Sequence, residues 1–151
     1  MRRSLAMLEK YRNSLVPPSR QSPIGERFAD LGTTVYERVT NLQFREALEA
    51  IWELVAVLNR EIDEKKPWTL FKEERGDDLD AVLYDMCEGL RWLSLLTYPF
   101  MPQKACEIWK QLGLEGTPER LWRDELQWGG LGANTQTQPG EALFPRIDAA
   151  E

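Results

Sequence analysis

The sequence contains no histidine at all, and this absence excludes more chemistry than anything else in its composition. Gone are the commonest general base, the commonest zinc ligand and every Ser-His-Asp or Cys-His arrangement. Cysteine is scarce too. Cys87 and Cys106 stand far apart without the close spacing of a zinc or redox motif, so both read as buried thiols. No apolar run reaches the roughly 18 to 20 residues of a membrane helix. The basic start Met1-Arg2-Arg3 lacks the apolar stretch of a signal peptide. These absences predict a cytoplasmic protein with no membrane partner, and a poor candidate for a self-sufficient enzyme.

What is present suits one soluble domain. The 151 residues can bury a real core, and 42% apolar with 29% charged residues is ordinary for a globular chain. The net charge of −6 argues against a generic DNA or RNA binder, because phosphate contacts need Lys and Arg. A local basic face can nevertheless coexist with an acidic remainder. Residues 1–20 carry Arg2, Arg3, Lys10, Arg12 and Arg20 against Glu9 alone.

Helical periodicity runs through most of the chain. Leu5, Leu8, Tyr11 and Leu15 form a first stripe ended by Pro17-Pro18. Ser22 then fits an N-cap with Pro23 at the first helical position, ahead of Ile24, Phe28, Leu31, Val35 and Val39. Asn41 is a candidate cap for the strongest helix, which runs from Phe44 through Ile62 and closes at Lys65-Lys66-Pro67. After a charged connection, Asp77 or Asp78 opens a fourth helix through Leu96. A fifth carries Ala105, Ile108, Trp109 and Leu112 and stops at Gly113. Thr117-Pro118-Glu119 starts a short turn carrying Leu121 and Trp122. The pattern predicts an all-α antiparallel bundle of about five helices over 1–128. Residues 129–151 are predicted as a loop and irregular tail that folds back on the body, because leaving Leu143, Phe144 and Ile147 in water would forgo their burial.

Most acidic residues fall on polar helix faces or near helix starts and read as solvated. Gly130 and Gly132 have neither the strand nor the helix of a dinucleotide fingerprint, so they belong to a loop. Tryptophan is more telling, with six in one small domain. Trp52, Trp92, Trp109 and Trp122 accompany helical stripes and read as core or helix-interface residues. Trp68 differs. It follows Pro67 where a long helix ends, beside Lys65, Lys66 and Lys72, with no stripe to join. It either fills a corner or stacks on an unpaired base whose phosphates the lysines hold.

The stretch Leu58-Asn59-Arg60-Glu61-Ile62-Asp63-Glu64-Lys65-Lys66-Pro67-Trp68-Thr69-Leu70 resembles the signature of the methionyl-tRNA synthetase anticodon-binding domain. Three further blocks agree in order and spacing: Phe44 to Leu48, Leu95 to Pro102, and Leu143-Phe144-Pro145-Arg146-Ile147. Together they span nearly the whole chain.

The resemblance implies a helical bundle that reads the anticodon loop of methionine tRNA, with the catalytic domain of the same synthetase as its second partner. Trp68 would stack on an anticodon base, Pro67 would shape the corner, and Lys65 and Lys66 would approach phosphate. The family also uses an Asn, and an Arg one turn later, on the helix leading in. Here Arg2 or Arg3 lies where the Asn would fall, followed by Ala6 and Met7 rather than Arg. Asn59 is expected to fix the helix end or to contact the anticodon. Neither the family's nucleotide-binding fold nor its two catalytic signatures occur, so no cofactor is expected. ATP and methionine would bind the missing catalytic domain, and this chain would not activate methionine by itself. The first helix opens without a cap, as expected of a fragment or an internal start.

Overall fold

The computed structural model describes residues 1–119 and 126–144. Six helices are found among them: α1 (Arg2–Arg12), α2 (Pro23–Thr40), α3 (Phe44–Lys65), α4 (Pro67–Lys72), α5 (Gly76–Thr97) and α6 (Pro102–Gln111). Five form the all-α bundle, and α4 is a six-residue helix at the corner between α3 and α5. No strand occurs among the described residues beyond one isolated antiparallel bridge, Leu15 to Gln136. No helix among them is long and apolar enough to cross a membrane.

The bundle is organised around α5. Residues 82–97 of this helix are buried without interruption, which a helix tolerates only when it is surrounded by others. α1, α2, α3, α4 and α6 all pack on α5, and α2 packs extensively on α3. α3 turns Ala47, Ile51, Leu54, Leu58 and Ile62 inward, and each large side chain so buried stabilises by about 1.5–3 kcal/mol. Close approach of α3 to α5 depends on Gly89: a Cβ there would meet Leu58 Cδ2 at 2.6 Å.

Several helix ends follow the sequence. The Ser22 hydroxyl accepts from the Gly25 N–H at 3.3 Å, with Pro23 in the first turn. Gly113 has a left-handed φ of 77° after α6, and a Cβ would lie 2.0 Å from the Gln136 carbonyl oxygen. Other ends do not. Asn41 terminates α2, and α3 starts from Gln43. α1 stops at Arg12 rather than reaching Leu15, because Asn13 and Ser14 adopt positive φ and turn the chain into the bridge. Trp52 is 57% exposed on the outside of α3, contrary to a core reading, whereas Trp92 is buried. Residues Leu121 and Trp122 of the expected short turn, and Pro145 to Ile147 of the tail, lie outside the described residues.

The stretch after residue 126 is fastened to α5 by polar groups that the reading of acids as solvated missed. Glu88 is fully buried and pairs with Arg91 through Oε1 to Nη2 at 2.7 Å and Oε2 to Nε at 2.9 Å. Its oxygens also accept from the N–H groups of Gly129, Gly130 and Leu131 at 3.0–3.1 Å. Arg91 donates on to the Gln127 carbonyl, and Tyr84 donates to that of Leu131. Leu131 is buried. Leu143 packs on the core while Phe144 is 64% exposed.

Candidate nucleic-acid interface at the α3–α4 corner

The corner is built by backbone chemistry. Lys66 has φ 48° and ψ 69°, and its N–H donates to the Ile62 carbonyl at 3.0 Å, which closes α3. Pro67 then takes the first helical position, where its missing N–H is harmless and its fixed φ suits a new helix. Trp68 therefore stands in the first turn of α4 rather than in an irregular connection. The sequence pattern Lys-Lys-Pro reads as a stop, and here it is a stop and a restart.

Pro67 is buried and Trp68 half-buried, packed against the core. The Arg3 guanidinium carbon lies 5.3 Å from the Trp68 ring centroid, within cation–π range. Arg3 also faces Asp63 at 3.5 Å. Both ion-pair partners are mostly in water, at 58% and 68% exposure, so the pair orients Arg3 more than it stabilises the fold. The indole thus has the core on one side and a solvent-exposed, planar cation against its ring. Lys65 and Lys66 are exposed beside it.

The other sequence candidates divide. Arg2 is exposed at a different place, on the rim of an apolar cleft of about 390 Å³ bordered by Trp52, Leu93, Leu143 and Phe144. Asn59 is exposed on α3, more than one turn before the end at Lys65, so it does not fix the helix end. Asn59 and Asp63 are four residues apart and share a helix face. Asp63 was within the quoted signature, but only the three-dimensional pairing with Arg3, far away in sequence, gives it a role.

Behind the corner lies a buried carboxyl. Asp85 on α5 is 4% exposed and accepts from the Ser22 hydroxyl at 2.9 Å. Burial raises its pKa to about 6; Ser22 opposes the rise, Glu61 adds to it, and Arg20 and Lys65 oppose it. Glu61 is itself raised, first by burial, with Lys65 lowering it and Glu64 raising it. The described residues contain no group of three or more Cys, Asp or Glu placed to hold a metal ion.

No family model matches the chain. Two sets of known proteins do resemble it. It is 38% identical over 152 residues to a methionine–tRNA ligase of Caldanaerobacter subterraneus subsp. tengcongensis, covering 97% of this chain and 24% of that protein. It is 36% identical over 160 residues to a methionine–tRNA ligase of Halalkalibacterium halodurans, covering 100% of this chain and 24% of that protein. Among solved structures, the apo form of Mycobacterium tuberculosis methionyl-tRNA synthetase superposes with a TM-score of 0.75 at 27% identity, over 98% of this chain and 31% of that one. The same enzyme in complex with methionyl-adenylate gives 0.77 at 29% identity, over 96% and 30%. The chain spans about a quarter of the length of the curated relatives it matches.

Proposed function

The chain belongs to the methionyl-tRNA synthetase family, and on that premise we propose that it is the domain that reads the CAU anticodon of methionine tRNA. In an enzyme that also has the catalytic domain, it selects the tRNA for ATP-dependent attachment of methionine. The observation that carries this reading is the placement of Arg3 over the Trp68 ring at a corner flanked by exposed Lys65 and Lys66. Aromatic rings with cations around them take unpaired bases: the ring stacks, and the cations meet phosphate. A base entering the corner displaces the Arg3 guanidinium or is held between it and the indole. Lys66 and Pro67 fix the indole before the RNA arrives, which limits the ordering cost of binding.

The test is binding of a CAU anticodon stem-loop beside one with a changed anticodon, at low and moderate salt. Selective binding that survives moderate salt supports the reading. Weak binding that ignores the anticodon and disappears with salt is phosphate attraction alone, and it overturns the reading.

A protein partner is also proposed. The cleft bordered by Trp52, Leu143 and Phe144 brings two exposed aromatic rings, Trp52 and Phe144, to one apolar hollow. The catalytic domain of the same synthetase would cover it. An isolated chain that neither self-associates nor binds an apolar dye counts against this partner.

A further inference from the structure

We propose that Phe71 is a second base-stacking platform, taking the unpaired nucleotide next to the one on Trp68; this rests on the corner being an RNA site. Phe71 is 47% exposed, unusual for a phenylalanine that could have turned inward with its helix neighbours Pro67 and Leu70. It is backed by Tyr11 of α1, with ring centroids 4.5 Å apart and planes 27° from parallel. Tyr11 is itself packed against the core. One face of Phe71 is therefore seated on a fixed ring.

The surroundings match an extended single strand. Trp68, Phe71 and Lys72 share one face of α4 by their spacing of three and four residues. α1 runs beside them. Arg3 lies over Trp68, and Tyr11 lies under Phe71. A helix rises about 1.5 Å per residue, so these two contacts are roughly 12 Å apart along α1. Lys10 Nζ sits 5.5 Å from the Tyr11 ring.

The basic side chains beside the two rings divide into engaged and available ones. Arg12 is engaged by Asp80, and Arg75 by Asp78 and Glu73. Among the described residues neither Lys10 nor Lys72 has a carboxylate within ion-pair distance. A cleft of about 460 Å³ beside Phe71 is bordered by Arg12, Lys72 and one acid, Glu74. The strip thus sets two rings, Trp68 and Phe71, between Arg3 and Lys72, with Lys10 on its flank: ring faces for bases and cations for the backbone beside them.

The experiment uses this chain and CAU-loop stem-loops carrying a single abasic site at each unpaired position in turn, at one fixed salt. Phe71→Ala should weaken binding of the intact loop between about 5- and 150-fold, the worth of one stacked base. It should cost nothing further on the loop whose abasic site removes the stacked partner. That position should neighbour the one that silences Trp68→Ala. Phe71→Trp should keep binding, whereas Phe71→Leu, which leaves apolar bulk on Tyr11, should not. Wild-type affinity in Phe71→Ala, an equal loss on every abasic loop, or full binding by the folded Phe71→Leu chain overturns the platform. Failure of the underlying reading looks different: there, Trp68→Ala has no effect either.

Discussion

Arg91–Glu88 and Arg3–Asp63 are both arginine–carboxylate pairs, yet they do opposite work. The first is 2% and 0% exposed, bidentate, and completed by three backbone N–H donors. The second is 58% and 68% exposed, separated by 3.5 Å, and shares its arginine with a tryptophan ring. A buried charge must be fully partnered or it destabilises the fold, so the first pair leaves nothing free for a ligand. The exposed pair costs little to rearrange. That freedom makes it suitable as part of a binding surface. The fold is held where polar groups are saturated, and the proposed RNA site lies where they are not.

Four substitutions can break or sharpen this contrast. The largest effect should come from Glu88→Ala, which strands the Arg91 charge and three N–H groups; we expect a loss of about 3–5 kcal/mol in denaturant unfolding. A loss below 1 kcal/mol would show that the fastening is not structural. Asp85→Asn should act in the other direction. The folded-state pKa of about 6 lies above the ordinary carboxyl value of 3.8, so its contribution to stability is present below the lower value and is lost as pH rises through the upper. At pH 7 the Asn variant should be more stable by about 1–3 kcal/mol, and the gap should close by pH 4. A gap that does not change with pH would refute the assignment. Trp68→Ala should weaken stem-loop binding by about 1–3 kcal/mol while the far-ultraviolet dichroism stays helical; unchanged affinity would remove the indole from the site. Arg3→Ala should be smallest in stability, within about 1 kcal/mol of wild type in thermal melting, yet it should lower RNA affinity. A large melting shift would make Arg3 another Arg91.

The sequence made the bundle readable because long apolar stripes at helical spacing leave little choice of fold. Ser22, Pro23 and Gly113 marked their helix ends through side-chain and backbone rules that depend only on neighbours. Trp68 was singled out because no stripe claimed it. What escaped depended on distant contacts. Nothing near Trp68 in sequence points to Arg3, and Lys65-Lys66-Pro67 marks the end of α3 equally well whether or not a new helix follows. Trp52 sits beside an apolar stripe, and only the packing of α3 shows which side of the stripe it occupies. Asp85, Glu88 and Arg91 carried a usable signal that was passed over: charges spaced by three inside the most apolar of the described helices.

The clasp between the two ends of the described chain has a consequence in time. Val16 exchanges hydrogen bonds with Asn134 and Thr135, and the Ser14 carbonyl accepts from Thr137. Contacts so remote along the chain close slowly, because a long loop must be gathered first. During synthesis they cannot close until residue 137 has left the ribosome, whereas Arg3 can meet Trp68 once α5, on which α1 and α4 both pack, has emerged. The α3–α4 corner can therefore mature on the nascent chain while the turn after α1 waits, still open, for the stretch that will lock it.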